Sequence, residues 1–283
     1  MNKAEIYKLW RNSRLETRKI DLTLLKITGL SKSQLFLLND INDSYLEEIK
    51  KSFKRLEKWE PLEYIINNAE FYSLDFYVDS RVLIPRDDTE VMVDKAIEIL
   101  LKYKWTTLID VWTWSSCIPI SILKNTNKIN NCYVIDISEN ALEISEKNIT
   151  KYWLSKQIKQ INSDLISELL WNNDYELNKN IVITANLPYI KNEDFDNIDN
   201  ETMEFEPALA LYGWKNTGFE LYEQLIRECS QLKSIKHLNS LTLFIEIWFD
   251  QKDYSEKYIK NLNLKFEIFK DNSDIERCIK IEF

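Results

Sequence analysis

Beyond residue 105 short apolar runs alternate with stretches of helical periodicity, and this alternation restricts the fold more than any other feature of the chain. The runs are TLIDV (107–111), CYVIDI (132–137), IKQIN (158–162), IVITAN (181–186) and SLTLFIEI (240–247), with helical patterns beginning near Cys117, Glu139 and Phe219. Near-continuous apolar strands separated by helices are what a parallel sheet requires when both of its faces are covered. The closing segments LKFEIF and CIKIEF, joined by a short polar loop, read as an antiparallel hairpin at the sheet edge. The expected class is α/β.

The first part of the chain differs. Up to about residue 58 the apolar positions recur at helical spacing, as in Leu22, Leu25, Ile27 and Leu30, and then Leu35, Leu38 and Ile41. From Phe71 the pattern changes to the alternating run FYSLDFYVDSRVLIP, the mark of a hairpin. Three parts are expected: a helical domain over 1–66, a β-hairpin linker over 67–86 and an α/β domain over 87–283.

Composition narrows the chemistry. The 283 residues carry a net charge of −9, which disfavours wholesale binding to a phosphate backbone, so no direct nucleic-acid binding is expected. The four cysteines have no metal-ligand spacing and His237 is the single histidine, so histidine-based zinc sites and Ser-His-Asp catalysis are excluded and no metal is expected. No run is long enough to span a bilayer and the first residues form no signal peptide, so a cytoplasmic protein is expected.

In an open parallel sheet, ligands bind outside the carboxyl ends of the strands. Three such ends carry polar residues. The first is Asp110-Val111-Trp112-Thr113-Trp114-Ser115-Ser116, between a strand and a helix, where a nucleotide site calls for glycines. The second is Asp136, placed to take two ribose hydroxyls as a bidentate acceptor; it can equally open the next helix ahead of Ser138 as N-cap. Asp164, after the third strand, is placed to reach an adenine amino group, or to serve as a turn residue.

The third end is Asn186-Leu187-Pro188-Tyr189. An asparagine side-chain carbonyl and a neighbouring backbone carbonyl, held rigid by Pro188, give two acceptors for one planar NH2 group, and Tyr189 gives it a face to pack on. This is an arrangement for methylating an amide or an exocyclic amine. The amide nitrogen is a poor nucleophile, and hydrogen bonds to both of its protons favour the geometry of in-line attack on a methyl sulfonium. No histidine base is required.

At this point a family resemblance is plain across nearly the whole chain. The sequence resembles the protein-(glutamine-N5) methyltransferases that modify peptide chain release factors. The resemblance rests on EPLEYI (60–65), EFYSLDFYVDSRVLIPR (70–86), LIDVWTWSSCIPISI (108–122), ANLPYI (185–190), EPALALYGW (206–214) and IEIWFDQ (245–251). It implies a seven-stranded, Rossmann-like, S-adenosylmethionine-dependent catalytic domain behind a helical N-terminal domain and a hairpin linker. It further implies that Asp110, Trp112, Thr113, Trp114, Ser115, Ser116, Asp136, Asp164, Leu165 and Asn186 bind the cofactor, with S-adenosylhomocysteine as product. By the same resemblance Asn186, Leu187, Pro188 and Tyr189 hold the substrate, and Asn186, Pro188 and Tyr189 are catalytic. The implied partner is a class 1 release factor, methylated on the glutamine of its Gly-Gly-Gln loop and docked in part by the N-terminal domain. Arg86 and Glu90, just after the linker, read as structural. The rival activity is adenine-N6 methylation of RNA or DNA, which also uses the Asn186–Tyr189 tetrad.

One departure is systematic. The chain has three glycines and nine tryptophans, where ordinary usage gives roughly 20 glycines in such a length. The family places glycine at Trp59, Trp112, Trp114, Trp153, Trp214 and Trp248. Drift would scatter many residue types over these positions, whereas here one type recurs. The reading is that these are UGA codons that encode glycine in the source organism, written here under the code in which UGA means tryptophan. The bias towards Lys, Asn and Ile fits an AT-rich genome. If the tryptophans are genuine, the chain is instead a non-catalytic release-factor-binding relative. Ser116 is a separate departure at a further family glycine. For the sequence as written, poor cofactor binding and strained turns are expected.

Overall fold

The computed structural model describes residues 3–11, 16–37, 39–103, 105–191, 204–211 and 217–283. Trp214 and most of the segment that follows Ala185–Ile190 lie outside them. The N-terminal helices are α1 (Lys3–Arg11), α2 (Thr17–Thr28), α3 (Lys32–Leu37), α4 (Leu46–Leu56) and α5 (Leu62–Ile66). They enclose a core of their own, with Ile6, Ile20, Leu24, Ile49, Phe53 and Leu62 buried together. Trp10 lies flat on Phe53 with ring centroids 3.5 Å apart, so this indole is a genuine core residue.

Strands β1 (Ala69–Phe71) and β2 (Leu74–Phe76) form the hairpin. Its two-residue turn puts Tyr72 and Ser73 at φ of 51° and 59°, the left-handed pair that matches the twist of a tight hairpin. Three bonds fasten the hairpin and the segment after it to the rest of the molecule. The Tyr72 amide donates to the Glu90 carboxylate at 2.6 Å, the Tyr64 hydroxyl donates to the Val82 carbonyl at 2.6 Å, and Arg86 pairs with buried Glu206.

The rest of the chain is built on one seven-stranded sheet. Its strands are β3 (Thr106–Val111), β4 (Ile129–Asp136), β5 (Ile158–Asn162), β6 (Asn180–Ala185), β7 (Ser240–Glu246), β8 (Lys265–Lys270) and β9 (Glu276–Glu282), in the order β5-β4-β3-β6-β7-β9-β8. The first five are parallel, while β9 runs antiparallel between β7 and β8, which is the hairpin edge expected from the sequence. The order reverses at β3, since β4 and β5 lie on one side of it and β6 and β7 on the other. The carboxyl ends of β3, β4 and β6 therefore open on one crevice.

The apolar runs of β3, β4, β6 and β7 are buried on both faces, which is why they show no alternation, whereas the edge strand β5 exposes Lys159 and Asn162. Ile109, Ile183 and Leu243 face a core shared with Leu225 and Leu232 of α10 (Glu220–Ile235), and with Ile144 of α8 (Glu139–Lys151). Leu108, Val182 and Phe244 face the opposite core, shared with Met92 and Ala96 of α6 (Glu90–Leu100) and Ile120 of α7 (Cys117–Asn125). The remaining helices that concern the site are α9 (Ser167–Trp171) and α11 (Lys252–Asn261). Among the described residues no helix is long and apolar enough to cross a membrane.

The helix ends expose the glycine shortage. Helix α2 ends on Gly29 at φ 68°, whose amide returns to the Leu25 carbonyl. Helix α4 ends in the same left-handed turn on Trp59, where Glu60 N bonds Arg55 O and Trp59 N bonds Leu56 O. Helix α8 repeats the pattern at Trp153, with Leu154 N on Ile149 O and Trp153 N on Thr150 O. This paired bonding places its left-handed residue where glycine or asparagine is normally found.

Candidate active site at the carboxyl ends of three strands

The loop after β3 must turn sharply to enter α7, and it does so through three residues with positive φ: Trp112 (58°), Trp114 (50°) and Ser116 (61°). A left-handed backbone costs an L-residue roughly 1–2 kcal/mol and glycine almost nothing. The loop conformation is thus that of a glycine-rich loop, and the tryptophans occupy it under strain.

Asp110 and Asp136 stand under this loop. Both oxygens of Asp110 are taken within the protein, by the Thr113 hydroxyl and the Thr184 hydroxyl, each at 2.6 Å. Asp110, expected among the cofactor ligands, instead staples β3 to its own loop and to β6. Burial, opposed by these two hydroxyls, lifts its carboxyl to about 7. Asp136 accepts from the Trp114 amide at 3.0 Å and from the Ser138 amide at 2.9 Å, and burial raises its carboxyl to about 6. Ser138 caps α8 through Ala141 N, so Asp136 ends β4 and does not open the helix itself. Thr113, Ser116 and Ser145 form a chain of hydroxyls beneath the loop, at 2.9 and 2.6 Å. Asn148 of α8 holds the Ser115 carbonyl at 3.0 Å and also bonds both the amide and the carbonyl of Tyr77, joining loop to linker.

Asp164 is exposed, two residues past β5, whose Asn162 is in register with Asp136. Leu165 beside it is fully buried at φ 47°. Asp136 and the loop 112–116 thus pack together at the carboxyl ends of β3 and β4, with Asp164 just past the end of the neighbouring strand β5. The space beside Asp136 is filled. The indoles of Trp112 and Trp114 pack edge to face with centroids 5.6 Å apart, each only 5% exposed, in the core that includes Ile135, Ala185 and Leu187. Trp114 Nε1 reaches across to the Asn186 carbonyl at 3.2 Å, whereas Trp112 Nε1 is buried without a partner. Asp136 is 0% exposed. With the indoles of Trp112 and Trp114 buried here and Asp136 fully covered, there is no room for a nucleoside beside this carboxylate, and S-adenosylmethionine does not fit the chain as written.

The corner after β6 is ordered differently. Asn186 directs its side-chain amide at Thr89 Oγ1, 3.4 Å away, and the Thr89 hydroxyl donates to Glu246 Oε2 at 2.6 Å. The Tyr189 hydroxyl donates to the other Glu246 oxygen at 2.9 Å. Burial raises the Glu246 carboxyl, and burial beside it raises the Tyr189 phenol, so the tyrosine is a neutral donor here. Leu187, expected with the substrate residues, turns its side chain into the core and bonds its amide to the Tyr222 hydroxyl at 3.0 Å, so it anchors the corner from behind. Pro188 is buried and Tyr189 half-buried. Gly218 closes the corner: at φ 70°, a Cβ there would lie 2.2 Å from the Tyr189 carbonyl, which also accepts from Gln251 at 3.0 Å. Trp248 packs on Tyr189 with centroids 5.6 Å apart and buries an unpartnered Nε1, yet its backbone is not left-handed. Backbone strain thus marks Trp59, Trp112, Trp114 and Trp153, together with Trp105 at φ 60°, and does not mark Trp248.

Thr89, Glu246, Tyr222 and Gly218 were missed at the sequence level. Glu246 left a trace, as an acid at the carboxyl end of the apolar run SLTLFIEI.

No protein-family model matches the chain. The fold is shared with the catalytic domain of human Mettl16 solved in complex with the MAT2A 3′UTR hairpin 6, at 13% identity and a TM-score of 0.56 over 86% of this chain and 83% of that one. It is also shared with the N-terminal domain of human METTL16 in complex with SAH, at 15% identity and 0.53 over 81% and 83%. Sequence likeness is closer and more extensive. The release factor glutamine methyltransferase of Mycoplasma mycoides is 32% identical over 257 residues, covering 89% of this chain and 83% of that protein. Its counterpart from Clostridium botulinum is 30% identical over 285 residues, covering 98% and 96%. With the methyltransferase sheet intact and this identity running through both halves of the molecule, the chain belongs to the release factor glutamine methyltransferase family, enzymes that methylate a protein glutamine.

Proposed function

We propose that the protein transfers a methyl group from S-adenosylmethionine to the side-chain nitrogen N5 of the glutamine in the Gly-Gly-Gln loop of class 1 release factors. In this reading the native protein carries glycine at 112 and 114, and also at 59 and 153. One observation carries the reading: the loop after β3 has the backbone of a glycine-rich nucleotide loop at the very positions where tryptophan stands. Drift to tryptophan in a disused loop would relax the backbone away from left-handed φ and spare the neighbouring corner no better than the loop. Here the turn is kept and the Asn186–Tyr189 corner is intact.

On this reading loop residues 112–116, Asp136, Asp164 and Leu165 line the cofactor side. The Asn186 side chain, the rigid turn at Pro188 and the Tyr189 ring hold the glutamine amide. The helices of residues 1–66 serve as a docking domain for the release factor and residues 67–86 as the linker to the catalytic domain at 87–283. A translation factor as substrate puts the protein in the cytoplasm. The acidic net charge favours a protein substrate over RNA or DNA.

The test is an incubation of the W112G/W114G chain with labelled S-adenosylmethionine and either a class 1 release factor or adenine-containing RNA. Label on the glutamine of the Gly-Gly-Gln peptide, located by mass spectrometry and absent with N186A, is the expected result. Label on adenine overturns the substrate. Release-factor binding without transfer by the glycine form marks a non-catalytic relative. Peptide masses across Trp105–Lys124 of the protein from its native source decide the residue identities directly.

A further inference from the structure

We infer that Thr89 and Glu246 are positioning residues for the substrate amide, acting through Asn186; the inference rests on the reading that Asn186 holds the glutamine. The logic is one of hydrogen count. A threonine hydroxyl has a single hydrogen to give. Thr89 gives it to Glu246 Oε2 at 2.6 Å, in a buried site where the second carboxylate oxygen is engaged by Tyr189 at 2.9 Å. Towards Asn186 the Thr89 oxygen can therefore only accept. The Asn186 side chain must turn its NH2 to Thr89 and its carbonyl oxygen the opposite way.

That polarity decides whether the site can work. A substrate NH2 needs an oxygen acceptor, and an asparagine flipped about its last bond would meet N–H with N–H. The 3.4 Å contact is at the long end for a hydrogen bond, so its own strength contributes little. Its effect lies in forbidding one of two amide orientations that otherwise differ little in energy. Tyr189 is set by the same carboxylate, so one buried glutamate orients both groups that face the amide. Thr89 has no other task that explains its burial: its side chain makes no capping bond to α6.

The experiment compares T89V, T89S and N186A, singly and as T89V/N186A, in the W112G/W114G chain. T89V should lower kcat for release-factor methylation by about tenfold or more while cofactor binding stays unchanged, and T89S should recover most of the loss. In the N186A background T89V should cost nothing further, because Thr89 acts only through Asn186. An equal loss in both backgrounds, or no loss in either, overturns the inference. E246L should cost at least as much as T89V, since it also removes the acceptor that sets Tyr189; T89V keeps the test open if E246L does not fold. A second measurement needs no turnover. In the unaltered chain the Asn186 side-chain NH2 resonance pair, assigned by its absence in N186A, should exchange slowly with water, and faster in T89V but not in T89S. No change in T89V overturns the inference, whereas the expected exchange pattern without transfer to a release factor leaves the positioning standing and rejects the substrate.

Discussion

The loop after β3 and the corner after β6 face each other across one crevice and are built to opposite standards. In the corner the polar groups follow a consistent chain from Glu246 through Thr89 and Tyr189, and a glycine stands where a carbonyl approaches within 2.2 Å of any Cβ. In the loop two indoles sit on left-handed backbone, one with its N–H buried and unpartnered, over a carboxylate that nothing outside can reach. The contrast is the one that glycine at 112 and 114, as proposed above, would remove.

The most forceful way to break the comparison is to empty the crevice. W112G/W114G should raise S-adenosylmethionine affinity, measured by titration calorimetry, by at least about 1,000-fold, near 4 kcal/mol. Either single change should recover far less, since each indole packs on the other. In that opened chain N186A should reduce transfer by about 100-fold while leaving cofactor affinity within a few-fold, as read from kcat and a separate binding titration. Equal loss of binding and turnover would mean that the corner belongs to the cofactor.

Smaller effects sharpen the contrast between strained and well-placed indoles. W59G and W153G, at exposed helix ends in left-handed conformation, should each raise stability to chemical denaturation by about 1 kcal/mol. W10G should lower it, because Trp10 stacks on Phe53 inside the N-terminal core. The smallest effect is on pH dependence. Asp110 and Asp136 titrate at about 7 and about 6 in the fold, above the value near 4 of an unfolded aspartate. The folded state therefore binds protons more tightly, so their contribution to stability grows as pH falls from about 7 towards 4 and is lost as pH rises again. D110N should flatten that part of the profile, measured as denaturation midpoint against pH.

Much of the scaffold was legible in the residues. The strand runs at 107–111, 158–162 and 181–186 fall within a residue of β3, β5 and β6; β3 and β6 are near-continuously apolar because both of their faces are buried, while β5 lies at the sheet edge with Lys159 and Asn162 exposed. Helix α8 starts at Glu139 behind its Ser138 cap, as the local sequence requires. The site residues were legible as places more than as roles. Asp110 and Leu187 stand at the right strand ends yet point away from the crevice, one bound by Thr113 and Thr184 and the other packed in the core. Sequence position fixes which strand end a residue occupies, but its side-chain direction depends on partners brought from 74 residues away in one case, Thr184, and from α10 in the other.

By itself, the sequence determined the α/β alternation, the three strand ends that meet at the crevice, the Asn186–Tyr189 corner and the anomaly of tryptophan for glycine. These are matters of periodicity and of residues adjacent in the chain. Only the tertiary structure decided which tryptophans are misfits, since backbone φ separates Trp59, Trp105, Trp112, Trp114 and Trp153 from Trp10 and Trp248. It alone also joined Thr89 and Glu246, 157 residues apart, into the support for Asn186. Strain and hydrogen-bond direction depend on where the folded backbone and distant partners come to rest, and no local pattern in the chain carries that information.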